Sequence, residues 1–221
     1  MECIICGSNQ LEKLKKPKYD YLVTGNRNFF GDGQGIEKCI CVDCGHIQYV
    51  QDTLYKENIK KVFKNYGALN NKSFEKGKIV LREHFVIEKM INALQLSEKG
   101  NYLDIGCGSG ESMLFFHSML PNWEIYGMDI GEEFREQVIA KTGGYFSSLL
   151  ELCKSGKKFD LITINYVLSV ADNAGKILDC VKGILSKRGI LFIIDTSFEM
   201  QPYILKVLVR KWGDGFLKSG L

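Results

Sequence analysis

From Tyr102 to Asp195 two patterns of apolar residues take turns along the chain. Short, nearly continuous apolar runs at Tyr102–Ile105, Glu124–Asp129, Tyr145–Phe146, Phe159–Asn165 and Gly189–Asp195 predict buried strands. The stretches between them, Glu111–Leu120, Glu132–Lys141, Ser148–Lys154 and Asn173–Leu185, predict helices, the first stopped before Pro121. Short strands alternating with helices mean βαβ units and a parallel sheet. Upstream, Ile79, Val80, Phe85-Val86-Ile87, Met90-Ile91 and Leu94 recur at three- and four-residue spacing, which predicts one helix over Phe74–Leu96. Residues 51–72 are polar, with Tyr55, Phe63 and Tyr66 interspersed, and read as a connector. Residues 1–50 are loop-rich and hold a basic stretch, Lys13–Lys18, and a glycine-rich turn, Gly31–Gly35. The expected fold class is α/β, a doubly wound, mainly parallel sheet behind a small cysteine-bearing module. The expected division is 1–50 for that module, 51–98 for connector and helix, 99–197 for the core and 198–221 for a tail.

Composition narrows the function classes. With 221 residues, 45% of them hydrophobic, the chain has ample apolar surface to bury and is no disordered polymer. A net charge of +3 is too small to argue for nucleic acid by itself. The mild positive excess sits early, where residues 1–80 carry 13 basic and 9 acidic groups. No apolar run reaches the roughly 18 residues that a membrane helix needs. Met1-Glu2-Cys3 lacks the opening of a signal peptide, so the expectation is a soluble, cytoplasmic protein.

Five of the eight cysteines, Cys3, Cys6, Cys39, Cys41 and Cys44, fall within the first 44 residues, while Cys107, Cys153 and Cys180 are scattered singly. A secreted scaffold would spread them out, so clustered pairs read as metal ligands and not as disulfides. Cys3-x-x-Cys6-Gly and Cys41-x-x-Cys44-Gly are two knuckles, each offering two soft ligands from one side. Together they predict a structural Zn2+ in a zinc-ribbon-like module, closed by four sulfurs. Cys39, two residues before Cys41, is an alternate ligand, and His46 reads as a surface or supporting residue.

The most informative segment is Leu103-Asp104-Ile105-Gly106-Cys107-Gly108-Ser109-Gly110, which leaves a predicted strand and enters a predicted helix. Open α/β sheets bind ligands at such a place. Alternate glycines let the backbone turn tightly and come close to a bound molecule. A dinucleotide loop needs its third glycine three residues after the second, but that position is Glu111, whose carboxylate competes with a pyrophosphate for the helix N-terminus. A cationic ligand without phosphate suits this loop better. Asp104 is placed to attract an amino group or sulfonium, and Asp129, at the tip of the next strand, to accept hydrogen bonds from vicinal ribose hydroxyls.

On these residues the stretch from about Tyr102 to Asp195 resembles the class I S-adenosylmethionine-dependent methyltransferases, with their Rossmann-like core. The matching elements are Asp104–Gly110, Asp129, Phe159-Asp160-Leu161-Ile162 and Leu185 with Gly189-Ile190-Leu191. The resemblance implies S-adenosyl-L-methionine as cofactor, with Asp104, Gly106, Cys107, Gly108 and Gly110 at its methionine end and Asp129 and Ile130 at the ribose and beyond. Ser147 and Asn165 complete the set. Two departures stand out. Relatives carry an acid after the third strand to bind the adenine amino group, where this chain reads Gly144-Tyr145-Phe146-Ser147-Ser148. Relatives with small-molecule substrates carry Glu-His after the fourth strand, where this chain has Ser169-Val170, so no catalytic residue is assigned.

A four-cysteine module before such a core is similar to the zinc-module methyltransferases that include sugar C-methyltransferases, in which an aromatic connector covers the cofactor. This implies a small-molecule acceptor, a sugar or sugar-linked metabolite; Tyr66, His84, Asn165 and Tyr166 are candidate pocket groups, although Tyr and His on apolar faces are more often packing residues. Two alternatives stay open. One is an RNA methyltransferase that grips nucleic acid through Lys13, Lys15, Lys16, Lys18 and Arg27. The other is a non-enzymatic binding protein on the same fold. In the resembled family two more strands follow the fifth, but here the 26 residues after Asp195 read as a loop and a helix around Tyr203–Trp212. That would leave the fifth strand as a bare apolar edge, so the expectation is a chain lacking its last two strands.

Overall fold

The structure is a computed structural model and describes residues 1–14, 22–23, 29–30, 37–57, 72–75, 78–131 and 133–195. The chain forms two compact units. One is built on the described part of Met1–Leu69 together with Ser169–Gly175, and the other on Asn70–Leu168 with Lys176–Asp195.

In the first unit β1 (Leu11–Lys13), β4 (Lys38–Cys41) and β5 (Ile47–Tyr49) make a three-stranded antiparallel sheet in the order β1-β4-β5. A two-stranded ribbon of β2 (Leu22–Val23) and β3 (Phe29–Phe30) lies between β1 and β4 in sequence, and helical turns, α1, cover residues 53–57. Tyr55 of α1 is 1% exposed and stacks on Tyr49 at 5.3 Å. Its ring thus packs inside this unit, and Tyr66 lies outside the described residues.

In the second unit the predicted helix over Phe74–Leu96 is only partly formed. Residues before Arg82 form a hairpin of β6 (Lys72–Glu75) and β7 (Lys78–Leu81), and α2 runs from Arg82 to Ala93. Ile79-Val80 is a β-branched pair just after the turn-forming sequence Glu75-Lys76-Gly77-Lys78, and that local preference outweighs the weak helical spacing there.

The core follows the expected grammar: β8 (Gly100–Ile105), α3 (Glu111–Met119), β9 (Trp123–Met128), α4 (Arg135–Ile139), β10 (Gly144–Phe146), α5 (Leu149–Lys154), β11 (Phe159–Asn165), α6 (Ala174–Ile184) and β12 (Leu185–Ile194). The five strands pair in parallel in the order β10-β9-β8-β11-β12. Every central strand buries both faces. On one face Leu103, Ile105, Met128, Phe146, Ile162 and Ile164 pack with Leu152 of α5 and Val181 and Ile184 of α6. On the other, Tyr102, Ile125 and Leu161 pack with Ile87 and Met90 of α2 and Met113 and Phe116 of α3. That two-sided burial explains why the strands read as continuous apolar runs.

Two details depart from the sequence reading. The last strand begins at Leu185, where β12 and β11 run out of step between Phe159/Leu161 and Leu185/Ile190. Gly189 permits this, because a Cβ there would come within 2.8 Å of the Phe159 carbonyl oxygen. Cys153 of α5 and Cys180 of α6, read as single cysteines, form a disulfide with Cα atoms 5.5 Å apart. Among the described residues β12 pairs on one side only, and the predicted tail helix lies outside them. No helix of the described residues is long and apolar enough to cross a membrane.

Candidate functional site

In the first unit the two knuckles bring Cys3, Cys6, Cys41 and Cys44 together, with all four Sγ atoms within 4.8 Å of one another. Cys3–Cys44 and Cys6–Cys41 approach to 3.6 Å. Four thiolates at about 2.3 Å from a tetrahedral ion are separated by about 3.8 Å, close to the two short pairs, so small side-chain shifts would let all four share such an ion. Backbone amides point at the sulfurs: Ser8 at Cys6, Asp43 and Cys44 at Cys41, His46 at Cys44. Gly7 and Gly45 take φ of 74° and 73°, which is what the glycine after each knuckle is for. Cys39 is not in the set; it is fully buried, and its thiol faces the Gln48 carbonyl at 3.7 Å. His46 is half-buried and also outside the set, its pKa lowered by burial. Of the basic stretch, Lys13 is paired with Glu37 at 2.8 Å; Lys15, Lys16, Lys18 and Arg27 lie outside the described residues.

In the second unit every named core residue falls at the carboxyl end of a strand. Gly106, Gly108 and Gly110 take φ of 80°, 49° and 78°. A side chain at 106 would also collide with Val167, 2.2 Å from its Cγ2. The loop is tied down by Gly106 N–H to Met128 O at 2.7 Å and by Gly110 N–H to Cys107 O at 2.8 Å. Cys107 turns inward: it is 7% exposed, burial pushes its thiol pKa up, and its Sγ fills the space above Gly127. Its side chain is therefore part of the core, and its amide is spent on Met128 O.

Asp104 is 3% exposed and fixed by a hydroxyl chain that the sequence reading did not contain. Thr163 on β11 donates to Asp104 Oδ1 at 2.5 Å, and Tyr102 Oη lies 2.9 Å from Thr163 Oγ1. Burial pushes Asp104 up to about 7; the Thr163 hydrogen bond opposes that shift and the nearby Asp129 adds to it. The chain was legible in principle, since Leu161↔Tyr102 and Thr163↔Asp104 are cross-strand partners, but only after the strand register is known.

Asp129 accepts Gly108 N–H on Oδ2 and Gly131 N–H on Oδ1, both at 2.8 Å. Each carboxylate oxygen retains a second lone pair for a ligand. Tyr145 Oη donates to the carbonyls of Asp129 and Gly131 at 3.0 and 2.9 Å and so braces this turn. Beside it Ile130 is 82% exposed, an apolar side chain turned outward.

After β10, where the sequence carries no acid, the Ser147 turn is joined by the carboxylate of Glu151 from α5. Ser147 donates both its N–H and its hydroxyl to Glu151 Oε2 at 2.9 Å, which holds the Glu151 carboxyl below its ordinary pKa. Ser148 caps α5 by accepting Glu151 N–H. The signal was present in the sequence, because Ser148-Leu149-Leu150-Glu151 is a capping box that turns its acid back onto the loop.

At the end of β11, Asn165 Oδ1 is buried with no hydrogen-bond partner. Tyr166 is the one non-glycine with positive φ among the described residues, at 58°, and Arg82 lies over its ring at 4.6 Å. His84 Nε2 is 2.7 Å from Glu111 Oε1, and its ring stacks on Phe115 at 4.0 Å. Backbone strain and an orphaned acceptor thus fall at adjacent positions of this strand tip.

A family profile described as a methyltransferase domain matches residues 81–218. The chain belongs to that family. Its sheet is that of the class I S-adenosylmethionine-dependent methyltransferases, with the glycine loop after the first core strand. Among curated proteins the chain is similar to the carboxy-S-adenosyl-L-methionine synthase of Campylobacter hominis, 26% identical over 127 residues and covering 54% of each chain. Among solved structures it is similar to the plantazolicin methyltransferase BpumL in complex with a triazolic desmethylPZN analog and SAH, with 17% identity, a TM-score of 0.50, and 74% of this chain aligned to 61% of that one. At that identity the likeness is one of fold. The chain spans about half the length of the curated relative it matches and under two thirds of the solved one.

Proposed function

We propose that this protein transfers a methyl group from S-adenosyl-L-methionine to a small molecule, a sugar or a sugar-linked metabolite. The observation that carries the cofactor half is the glycine loop, with three positive-φ glycines between a buried acid, Asp104, and a second acid, Asp129, at neighbouring strand tips. The curated relative, named for an S-adenosyl compound, supports the same ligand class. The acceptor half rests on the four-cysteine module preceding a methyltransferase core.

When bound, the cofactor supplies an electrophilic methyl on a sulfonium. Asp104 and the loop from Gly106 to Gly110 hold its methionine end, Asp129 its ribose hydroxyls, and Ile130 covers the base. Ser147 orients Glu151, whose second oxygen accepts from the adenine amino group. Asn165 Oδ1 takes a donor from the ligand. Catalysis then consists mainly of holding acceptor and methyl in line at close range. An acceptor that is a good nucleophile would need no base from the chain, and only a poor one would need its proton removed. The cysteine centre holds a structural Zn2+.

Asp129→Ala is expected to weaken S-adenosylhomocysteine binding by roughly ten- to a hundredfold, since charge-assisted hydrogen bonds are lost. Titration calorimetry checks this, and an unchanged dissociation constant would show that Asp129 does not hold the ribose. Glu151→Gln tests the adenine assignment by comparison of S-adenosylhomocysteine with its inosine analogue, which has a carbonyl where adenine has its amino group. The native chain should prefer the adenine form by about tenfold and the variant should lose that preference. An equal preference in both proteins would remove Glu151 from the site.

A further inference from the structure

The first knuckle does more than present two sulfurs. Its two intervening residues are Ile4 and Ile5, and the Ile4 carbonyl accepts the Gly175 N–H at 2.7 Å. A Cβ at position 175 would lie 3.1 Å from the carbonyl oxygens of both Ile4 and Ile5, tighter than nearly all real contacts, so glycine is what lets the two backbones meet. A second bond holds the same segment, from Gln51 Nε2 to Ala171 O at 3.0 Å. The knuckle in turn is gripped by Gln48, which is 5% exposed and accepts Ile4 N–H at 2.8 Å while donating to Glu2 O at 3.1 Å. Ser169–Gly175, although it follows the fourth core strand in sequence, clusters with the cysteine module for these reasons.

We propose that metal occupancy of the four-cysteine centre orders Ser169–Gly175, so that the metal is the support on which this segment is positioned. The proposal rests on the zinc reading above. The direction of the Ile4 carbonyl is set by the turn between Cys3 and Cys6, and that turn is fixed in full only when both sulfurs share one ion. Helix N-termini carry amides without intrahelical partners, so Gly175, the second residue of α6, gains a partner only while that carbonyl stays in place. Linkage makes the coupling reciprocal: whatever loosens the segment must also loosen the metal by the same factor.

The experiment is amide exchange by NMR on the full chain, zinc-loaded and after chelation, with zinc counted by elemental analysis and its affinity measured by competition with a chromophoric chelator. Gly175→Val and Gln51→Leu are measured alongside. The Gly175 amide should be protected in the zinc form and exchange at least about tenfold faster without metal. Both variants should bind zinc about three- to tenfold more weakly while keeping one equivalent per chain. Gln51→Leu, which removes a single side-chain bond, keeps the test valid where Gly175→Val folds poorly. Zinc bound at one equivalent with Gly175 exchange independent of it, or variants with unchanged zinc affinity, would overturn the coupling and leave the zinc reading standing. A chain that takes up no zinc would overturn both.

Discussion

Cys44→Ser is expected to release the metal completely and to unfold the N-terminal unit, while the five-stranded core keeps its structure. The reason is the size of the terms. A structural zinc site contributes on the order of 10 kcal/mol or more of folding free energy, about as much as the entire stability of an ordinary domain. The first unit has little else to set against its loss. Its buried described apolar residues are Cys3, Ile4, Cys39, Cys41, Tyr55 and Ala174, and its three-stranded sheet has strands of three and four residues. Cys39→Ser is the matched control: Cys39 is as buried as Cys41, yet its sulfur faces a carbonyl and not the sulfur cluster. It should keep one zinc per chain at a modest cost in stability. Elemental analysis and peptide-level hydrogen exchange separate the two cases. A Cys44→Ser protein that retains one metal and unchanged exchange in residues 1–14 and 37–50 would refute the four-sulfur site.

The core was legible because each of its signals is local. Phe159–Asn165 is apolar on both faces and is read as a strand from its own residues. The glycines at 106, 108 and 110 announce a positive-φ loop by spacing alone, and the structure gives each of them that conformation. What escaped depends on register or on long-range pairing. The hydroxyl chain from Tyr102 through Thr163 to Asp104 exists only because β8 and β11 are neighbours in one register. The Cys153–Cys180 disulfide joins helices that cover the same sheet face, a fact invisible in spacing. Gly175 is another case, since its partner is a backbone carbonyl 171 positions earlier and no side chain marks it. Glu151 differs from these, because Ser148-Leu149-Leu150-Glu151 is a local capping signal.

The affinity of S-adenosylhomocysteine is expected to rise about fivefold between pH 6 and pH 7, about tenfold by pH 8 and to level off above that, and the stability of the ligand-free domain is expected to run the other way. Both follow from Asp104, whose carboxyl is pushed up to about 7 by burial. In the unfolded chain it titrates near 3.8, so between these values the native state binds more protons than the unfolded state. Stability is therefore full below the unfolded value and falls as pH rises through the folded one, by about 4 kcal/mol in all. A ligand ammonium beside Asp104 needs the ionised form, so below pH 7 binding must expel a proton and affinity drops with acidity. Above about pH 8 the ligand's own amino group begins to lose its charge, which ends the rise. Asp104→Asn should abolish the pH dependence, stabilise the empty domain at pH 8, and bind weakly throughout. Thr163→Val is the sharper probe, because it leaves the carboxyl in place and removes the hydrogen bond that holds its pKa down. Its affinity midpoint should move to higher pH, read by calorimetry from pH 6 to 9, with melting curves following the same shift. A dissociation constant that is flat from pH 6 to 8 in the native chain would show that Asp104 carries no proton there. An unmoved midpoint in Thr163→Val would show that the hydroxyl chain does not govern it.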